Sequence, residues 1–241
     1  MNQEKNHLRN LLKNQNFMYK SFKKIFDFVF ALFFIVLLSP LVIPIMLILL
    51  FTGEGEIFYL QVRIGLNNNS FKIIKFATML KNSPNIGAGD ITIKNDNRVL
   101  KFGKFLRITK LNELPQISNV LNGSMSFVGA RPLMKSSFDI YSEEIKKSIY
   151  KTSPGITGIA SLIFRDEENI IFESNTNPRD YYEKYILPYK GELELWYQER
   201  ISFITDLKIL VLTVVLLFAP KYTKLIFYCF RDLPINKYFY K

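Results

Sequence analysis

The chain has little of what the commonest site chemistries require. One cysteine, Cys229, and one histidine, His7, stand near opposite ends of 241 residues. A disulfide framework, a Cys/His zinc site and a histidine-based triad are therefore excluded. Acid–base or metal chemistry has to come from carboxylates, amides, lysines or arginines. Acids are also in deficit, 21 against 32 lysines and arginines, which leaves a formal net charge of +11. That excess suits an anionic partner, and a membrane surface, a nucleotide phosphate or a nucleic acid would each satisfy it. Glu4 is the only acid in the first 24 residues, and from Phe28 to Phe51 charge is missing altogether.

What is present is apolar and aromatic, at 49% and 15% of residues. A chain of this size buries one substantial core, so one soluble domain with a membrane element fits better than two domains. The uncharged segment 28–51 has 24 positions, enough to cross a bilayer of about 30 Å. The basic residues before it keep that end cytoplasmic under the positive-inside rule. Ser39-Pro40 and Pro44 lie in its middle, where proline removes a backbone donor and kinks a helix. Each half measures roughly 16 Å of helix, half a bilayer, so a kinked span and a helix-break-helix that returns to its starting face both follow. The expected division is a basic segment 1–27, a membrane helix 28–51, a domain 52–219 and a basic aromatic tail 220–241.

Along the domain, Glu56 to Phe76 reads as a hairpin whose turn carries Gly65, Asn67, Asn68 and Asn69, residues that tolerate positive φ. Lys72 and Lys75 have odd separation and cannot share a strand face, so at most one meets a phosphate. Residues 81–96 read as a flexible loop over the site. Arg98 to Thr109 has helical spacing, with Val99, Phe102 and Leu106 inward and Arg98, Lys101, Lys104 and Arg107 open to anions. Phe138 to Tyr150 reads as one amphipathic helix, and SPGITG at 153–158 as a tight glycine loop. Arg165-Asp166-Glu167-Glu168 is a charged turn or, through Asp166, a second source of carboxylate for the site. The helical region 179–200 is rich in tyrosine, whose hydroxyls suit a membrane interface, a sugar pocket or a partly buried core. The apolar run 207–219 is short for a span and is expected to pack on the domain or lie in the interface, followed by the tail.

The densest stretch is Lys110 to Leu133. With Asn112 as N-cap, Glu113 falls in the first turn of a helix running to about Leu121, and Pro115 costs no intrahelical bond. Leu114, Ile117, Ser118 and Leu121 then share a face, while Glu113 and Gln116 stay at the opening, where free N–H groups favour a phosphate. Gly129 and Arg131 follow, and a guanidinium fork suits phosphate oxygens.

LNELPQISNVLNGSMSFVGARPL resembles the signature of the bacterial sugar transferases, small membrane-bound phosphoglycosyl transferases. That pattern is roughly S/T-L-D-E-L-P-Q followed by N-V-L-K-G-D-M-S-x-V-G-P-R-P. The likeness extends to the Ser39-Pro40 break, FKIIKFATM at 71–79, SPGITG and FITDLKI at 203–209, and so covers Tyr19 to Phe218. It implies an α+β, mainly helical fold: a re-entrant N-terminal membrane helix and one small cytosolic domain with a β-hairpin and amphipathic interfacial helices. It also implies transfer of a sugar-1-phosphate from a UDP-sugar to undecaprenyl phosphate with Mg²⁺, releasing UMP, at the cytoplasmic face of the bacterial inner membrane. Glu113 would then serve the metal or the reaction, and Lys75, Arg107, Arg131 and Pro132 would form the phosphate site. Membrane lipid is a further partner, with a second copy of the chain or downstream glycosyltransferases beyond it. Nucleic acid is not expected, because segment 28–51 has no role there and no recognition motif is present.

Four positions depart from the pattern. Asn112 replaces the aspartate that is the family's nucleophile, Ser124 replaces a second aspartate, Ala130 replaces a proline, and Ala77 replaces a basic residue. A carboxamide is no useful nucleophile at neutral pH. Two chemical routes follow: Asn112 orients the diphosphate or ligates Mg²⁺ while Glu113 or Asp166 attacks, or the lipid phosphate attacks directly. A non-enzymatic relative that binds the same ligands as a scaffold or regulator is the alternative to an enzyme.

Overall fold

The computed structural model of the protein describes residues 2–86, 96–236, 238 and 239. The loop expected over the site falls largely at 87–95, outside the described residues. The chain begins with one long helix, α1, Asn2–Phe51, that runs unbroken through both prolines. No break into two half-helices separates them. Pro40 has no N–H for the Val36 carbonyl four residues back, and the Ser39 hydroxyl donates to that carbonyl instead, at 2.8 Å.

One stripe of α1 is covered. Lys23, Asp27, Ala31, Ile45 and Leu49 are buried, with Ile35, Leu38, Val42 and Met46 partly buried between them. The spacing is that of a single helix face, and it continues on both sides of Pro40. Ala31 packs with Ile117, Val120 and Met125, and Ile45 and Leu49 pack with Phe76 and Leu106. Both halves of the apolar segment thus lie along the same domain. The opposite face, including Val29, Phe33, Val36, Ile43 and Phe51, is exposed.

Strands β1 (Phe58–Ile64) and β2 (Ser70–Phe76) form the expected antiparallel hairpin, pairing Tyr59 with Lys75 and Val62 with Lys72. Asn67 and Asn68 take the positive φ of the turn. Then come α2 (Lys101–Ile108), a 3-10 helix (Leu111–Gln116), α3 (Ile117–Leu121) and β3 (Ser126–Val128). The helix expected at 138–150 is shorter, α5 (Glu143–Ile149), and a separate single turn, α4 (Lys135–Phe138), ends where it was expected to begin. Ser142 sets the later start by capping α5, its hydroxyl accepting from the Ile145 N–H.

SPGITG is a strand rather than a tight loop: β4 (Gly155–Thr157) lies parallel to β3, with Ser126 opposite Gly155 and Val128 opposite Thr157. Its glycines are there for close approach. A Cβ on Gly155 would fall 2.1 Å from the Gly129 nitrogen, and one on Gly158 would fall 2.2 Å from the Gly129 carbonyl oxygen. The chain continues through α6 (Ile159–Ile163), α7 (Glu167–Glu173), α8 (Pro178–Tyr181), a π-turn (Tyr182–Ile186) and α9 (Leu187–Glu199). Last come α10 (Phe203–Phe218) and α11 (Leu225–Cys229).

The main core gathers Tyr150, Ile159, Ile186, Leu187, Tyr189, Leu193, Tyr197 and Ile209. The tyrosine-rich region is therefore largely core. Ile226, Phe230 and Leu233 join the same core, so the tail is packed into the domain as well as basic on its surface. A polar knot ties α1 to α10. Lys23 is ion-paired with Asp206, and the Tyr19 and Tyr197 hydroxyls donate to the same carboxylate at 2.6 and 2.7 Å.

Candidate active site

The centre of the site is the Glu113 carboxylate. Lys110 takes a left-handed conformation, φ 61°, and turns the chain from α2 into the 3-10 helix. Asn112 is therefore inside that helix and buried, not its N-cap as expected. The exposure pattern differs to match: Ser118 faces solvent, while Gln116 and Asn119 are buried. With α3 only five residues long, the anion-binding capacity of this region comes from side chains.

Those side chains converge. The Arg131 guanidinium meets Glu113 through both nitrogens, at 2.5 and 3.2 Å, and the Lys75 ammonium lies 3.7 Å from the same carboxylate. Glu113 is held well below the usual carboxylate range: burial opposes ionisation, but Arg131 and Lys75 outweigh it. Lys75 is pushed down to about 7 by burial, against the pull of Glu113, with Arg131, Arg63 and Arg107 adding to the depression. Arg131 is raised by Glu113. One carboxylate among several cations leaves a positive, sheltered centre in which an incoming phosphate would compete with Glu113 for Arg131.

Arg63 was not evident from sequence. It lies on the face of β1 that carries Tyr59 and Gln61, the same sheet face from which Lys75 projects on β2, and hydrogen-bonds Gln61 at 2.5 Å. Burial first, and Arg131 second, lower it to about 10. Even spacing from Tyr59 along an alternating strand was the available signal. Asn119 was missed too, for it reads as an ordinary helical polar residue. Its side chain accepts from the Ile74 N–H at 3.0 Å and donates to the Lys72 carbonyl at 2.9 Å, clamping β2 so that Lys75 faces Glu113. Ser124, one of the departures, hydrogen-bonds Asn119 at 3.2 Å and completes that clamp.

The other expected residues are distributed differently. Pro132 is buried beside Arg131. Arg107 pairs with Glu168 at 2.7 Å, not with Glu113. Arg98 is not open to anions: it is buried, paired with Asp96 at 2.6 Å, and donates to the Ser83 and Ile86 carbonyls. Asp166 is exposed just before α7 and accepts from Asn169, so the structure does not bring it to Glu113. The neighbouring acids are the ones engaged, Glu168 on Arg107 and Glu167 on Lys190.

For a hard cation the useful donors are oxygens. Glu113 supplies a carboxylate, and the Asn112 Oδ1 is buried without a hydrogen-bond partner. An orphaned carbonyl oxygen next in sequence to a carboxylate fits Mg²⁺, which takes one or two protein ligands and completes its shell with water and phosphate. Among the described residues no group of three or more His, Cys, Asp or Glu side chains is placed to hold a metal.

Fold and site together define a membrane-associated protein with one small domain, a long apolar helix along its side, and a cation-rich anion site around a single carboxylate. The chain belongs to the bacterial sugar transferase family, whose model matches residues 18–220. It is 36% identical over 197 residues to the UDP-glucose:undecaprenyl-phosphate glucose-1-phosphate transferase of Klebsiella pneumoniae, covering 80% of this chain and 39% of that one. It is 32% identical over 192 residues to the uncharacterized sugar transferase EpsL of Bacillus subtilis, covering 80% and 85%. Over 148 residues it is 35% identical to the UDP-N-acetylgalactosamine-undecaprenyl-phosphate N-acetylgalactosaminephosphotransferase of Aeromonas hydrophila, covering 61% and 35%. The chain thus spans well under half the length of the Klebsiella and Aeromonas proteins.

Proposed function

We propose that this protein transfers a sugar-1-phosphate from a UDP-sugar to undecaprenyl phosphate, releasing UMP, on the cytoplasmic face of the bacterial inner membrane. The observation that carries this reading is the convergence of Arg131 and Lys75 on Glu113 beside a helix with a lipid-sized apolar face. Arg131 and Lys75 hold the non-bridging oxygens of the diphosphate, and Arg63 and Arg107 add to the field. Mg²⁺ would sit at Glu113 and the Asn112 carbonyl oxygen, supplying charge neutralisation at the phosphates.

With no aspartate at 112 and Asp166 turned away, the reading favours one displacement step. An oxygen of the lipid phosphate attacks the β-phosphorus, the bond from that phosphorus to the bridging oxygen breaks, and its electron pair leaves with UMP. The rate then rests on orientation and charge stabilisation rather than on a covalent intermediate. A binding-only scaffold is the second reading, and Asn112 is the observation that favours it.

UMP release is the test, with detergent-purified protein, undecaprenyl phosphate, Mg²⁺ and a panel of UDP-sugars. Lipid-dependent release is expected from the native protein, with a fall of at least about a hundredfold in Glu113→Gln, in line with losing a charged group at a phosphoryl-transfer centre. Silence from the native protein with every donor would support the scaffold.

A further inference from the structure

A second polar recess borders Arg131 away from Glu113. Its lining includes Arg131, Ser161 on α6, Glu167 on α7, and Lys190 and Glu194 on α9, among apolar walls such as Leu133 and Phe164. Two of these groups are unsatisfied. Glu194 is 3% exposed, and the one polar group beside its carboxyl, the Arg131 backbone N–H, does not close a hydrogen bond of normal geometry with either oxygen. The Ser161 hydroxyl is buried without a partner as well. Buried polar groups are ordinarily paired, because leaving one unpaired costs about 1–3 kcal/mol. Two orphans facing one recess therefore point to something that fills it.

Charge narrows the choice. Lys190 is already neutralised by Glu167, and its ammonium lies over the Tyr182 and Phe164 rings at 5.1 and 5.5 Å. Burial pushes the Glu194 carboxyl up to about 8, so at neutral pH it is mostly protonated and both donates and accepts. A hydroxyl acceptor and donor, a neutral carboxyl and a closed ion pair match an uncharged polyhydroxyl group better than another anion. The aromatic and aliphatic walls suit the C–H edge of a sugar ring.

We propose that this recess receives the hydroxyl-bearing edge of the donor's sugar, with Ser161 and Glu194 as specificity-determining residues. The proposal rests on the UDP-sugar reading above and extends it to the selection of the sugar. Arg131 borders both places, so a diphosphate held at the Glu113 centre has its sugar end next to the recess.

Binding of UDP, UDP-glucose, UDP-galactose, UDP-N-acetylglucosamine and UDP-N-acetylgalactosamine to the full chain tests it, measured for native protein, Ser161→Ala and Glu194→Gln. Thermal unfolding of each variant checks that it is folded, and both side-chain changes are close to isosteric. The expected result is UDP affinity within about twofold of native, while the preferred UDP-sugar loses about tenfold and the gap between sugars narrows, the size of one buried hydrogen bond. Equal losses for UDP and every UDP-sugar, or an unchanged order of sugars, would overturn the assignment and leave the recess to ordered water. Native protein that binds neither UDP nor any UDP-sugar would remove the donor reading itself, and this assignment with it.

Discussion

Lys75 shows how a residue's setting makes it useful. The odd separation from Lys72 was enough to say that one of the two lysines faces away, and Lys72 is the exposed one. What sequence could not show is the clamp by Asn119 or the company of Arg63, since both depend on contacts between elements far apart in the chain. With its ammonium near half-protonation at about 7, Lys75 should make anion binding depend on pH. A diphosphate favours the charged form, so binding takes up a proton, and UDP affinity should fall as pH rises from 6.5 to 8.5. In Lys75→Arg the charge persists and this part of the slope should vanish. Titration calorimetry at several pH values reads both, and a native slope that survives in Lys75→Arg would assign it to another group. Asn112 teaches the opposite lesson. Its residue type suited an N-cap, but the left-handed turn at Lys110 starts the helix two residues earlier and leaves the carboxamide buried.

Among the elements, the hairpin and α2 were legible because alternation, turn residues and helical spacing are local signals. The pairing of β3 with β4 was not, for three-residue strands carry too little pattern, and glycines that permit backbone contact look the same as glycines that make turns. The unbroken α1 was equally hidden, because the Ser39 bond that satisfies the Val36 carbonyl is a matter of geometry. Its anchorage to α10 is testable. Asp206 is 4% exposed and accepts from Lys23, Tyr19 and Tyr197. Removing the charge in Asp206→Asn takes the buried Lys23 ammonium out of its ion pair and leaves it only the nearby Asp27 carboxylate, with an expected loss of about 2–4 kcal/mol. Denaturant unfolding in detergent measures it, and a loss below about 1 kcal/mol would mean that the knot is solvated and incidental.

At the scale of the whole molecule, the uncovered face of α1 and the exposed side chains Phe203, Leu207, Val211, Val214 and Phe218 of α10 present apolar surface well beyond what a water-soluble monomer leaves open. The segment Ser21–Phe51 is long and apolar enough to cross a bilayer, yet it is held along the domain over its length. The protein should therefore float with vesicles of bacterial lipid and stay with them in 1 M salt, where charge alone is screened over about 3 Å. Release by salt would mean attachment through the basic surface alone. The family assignment was legible because its signature is a run of residues in one stretch, whereas the fate of the chemistry turns on a single position in that run. Transfer of phosphorus label from the β-position of a UDP-sugar into undecaprenyl phosphate tests the central claim most directly, with native protein and Asn112→Asp side by side. The account predicts labelled lipid from the native protein. Labelled lipid from Asn112→Asp alone would contradict it and leave a site that binds its ligands without turning them over.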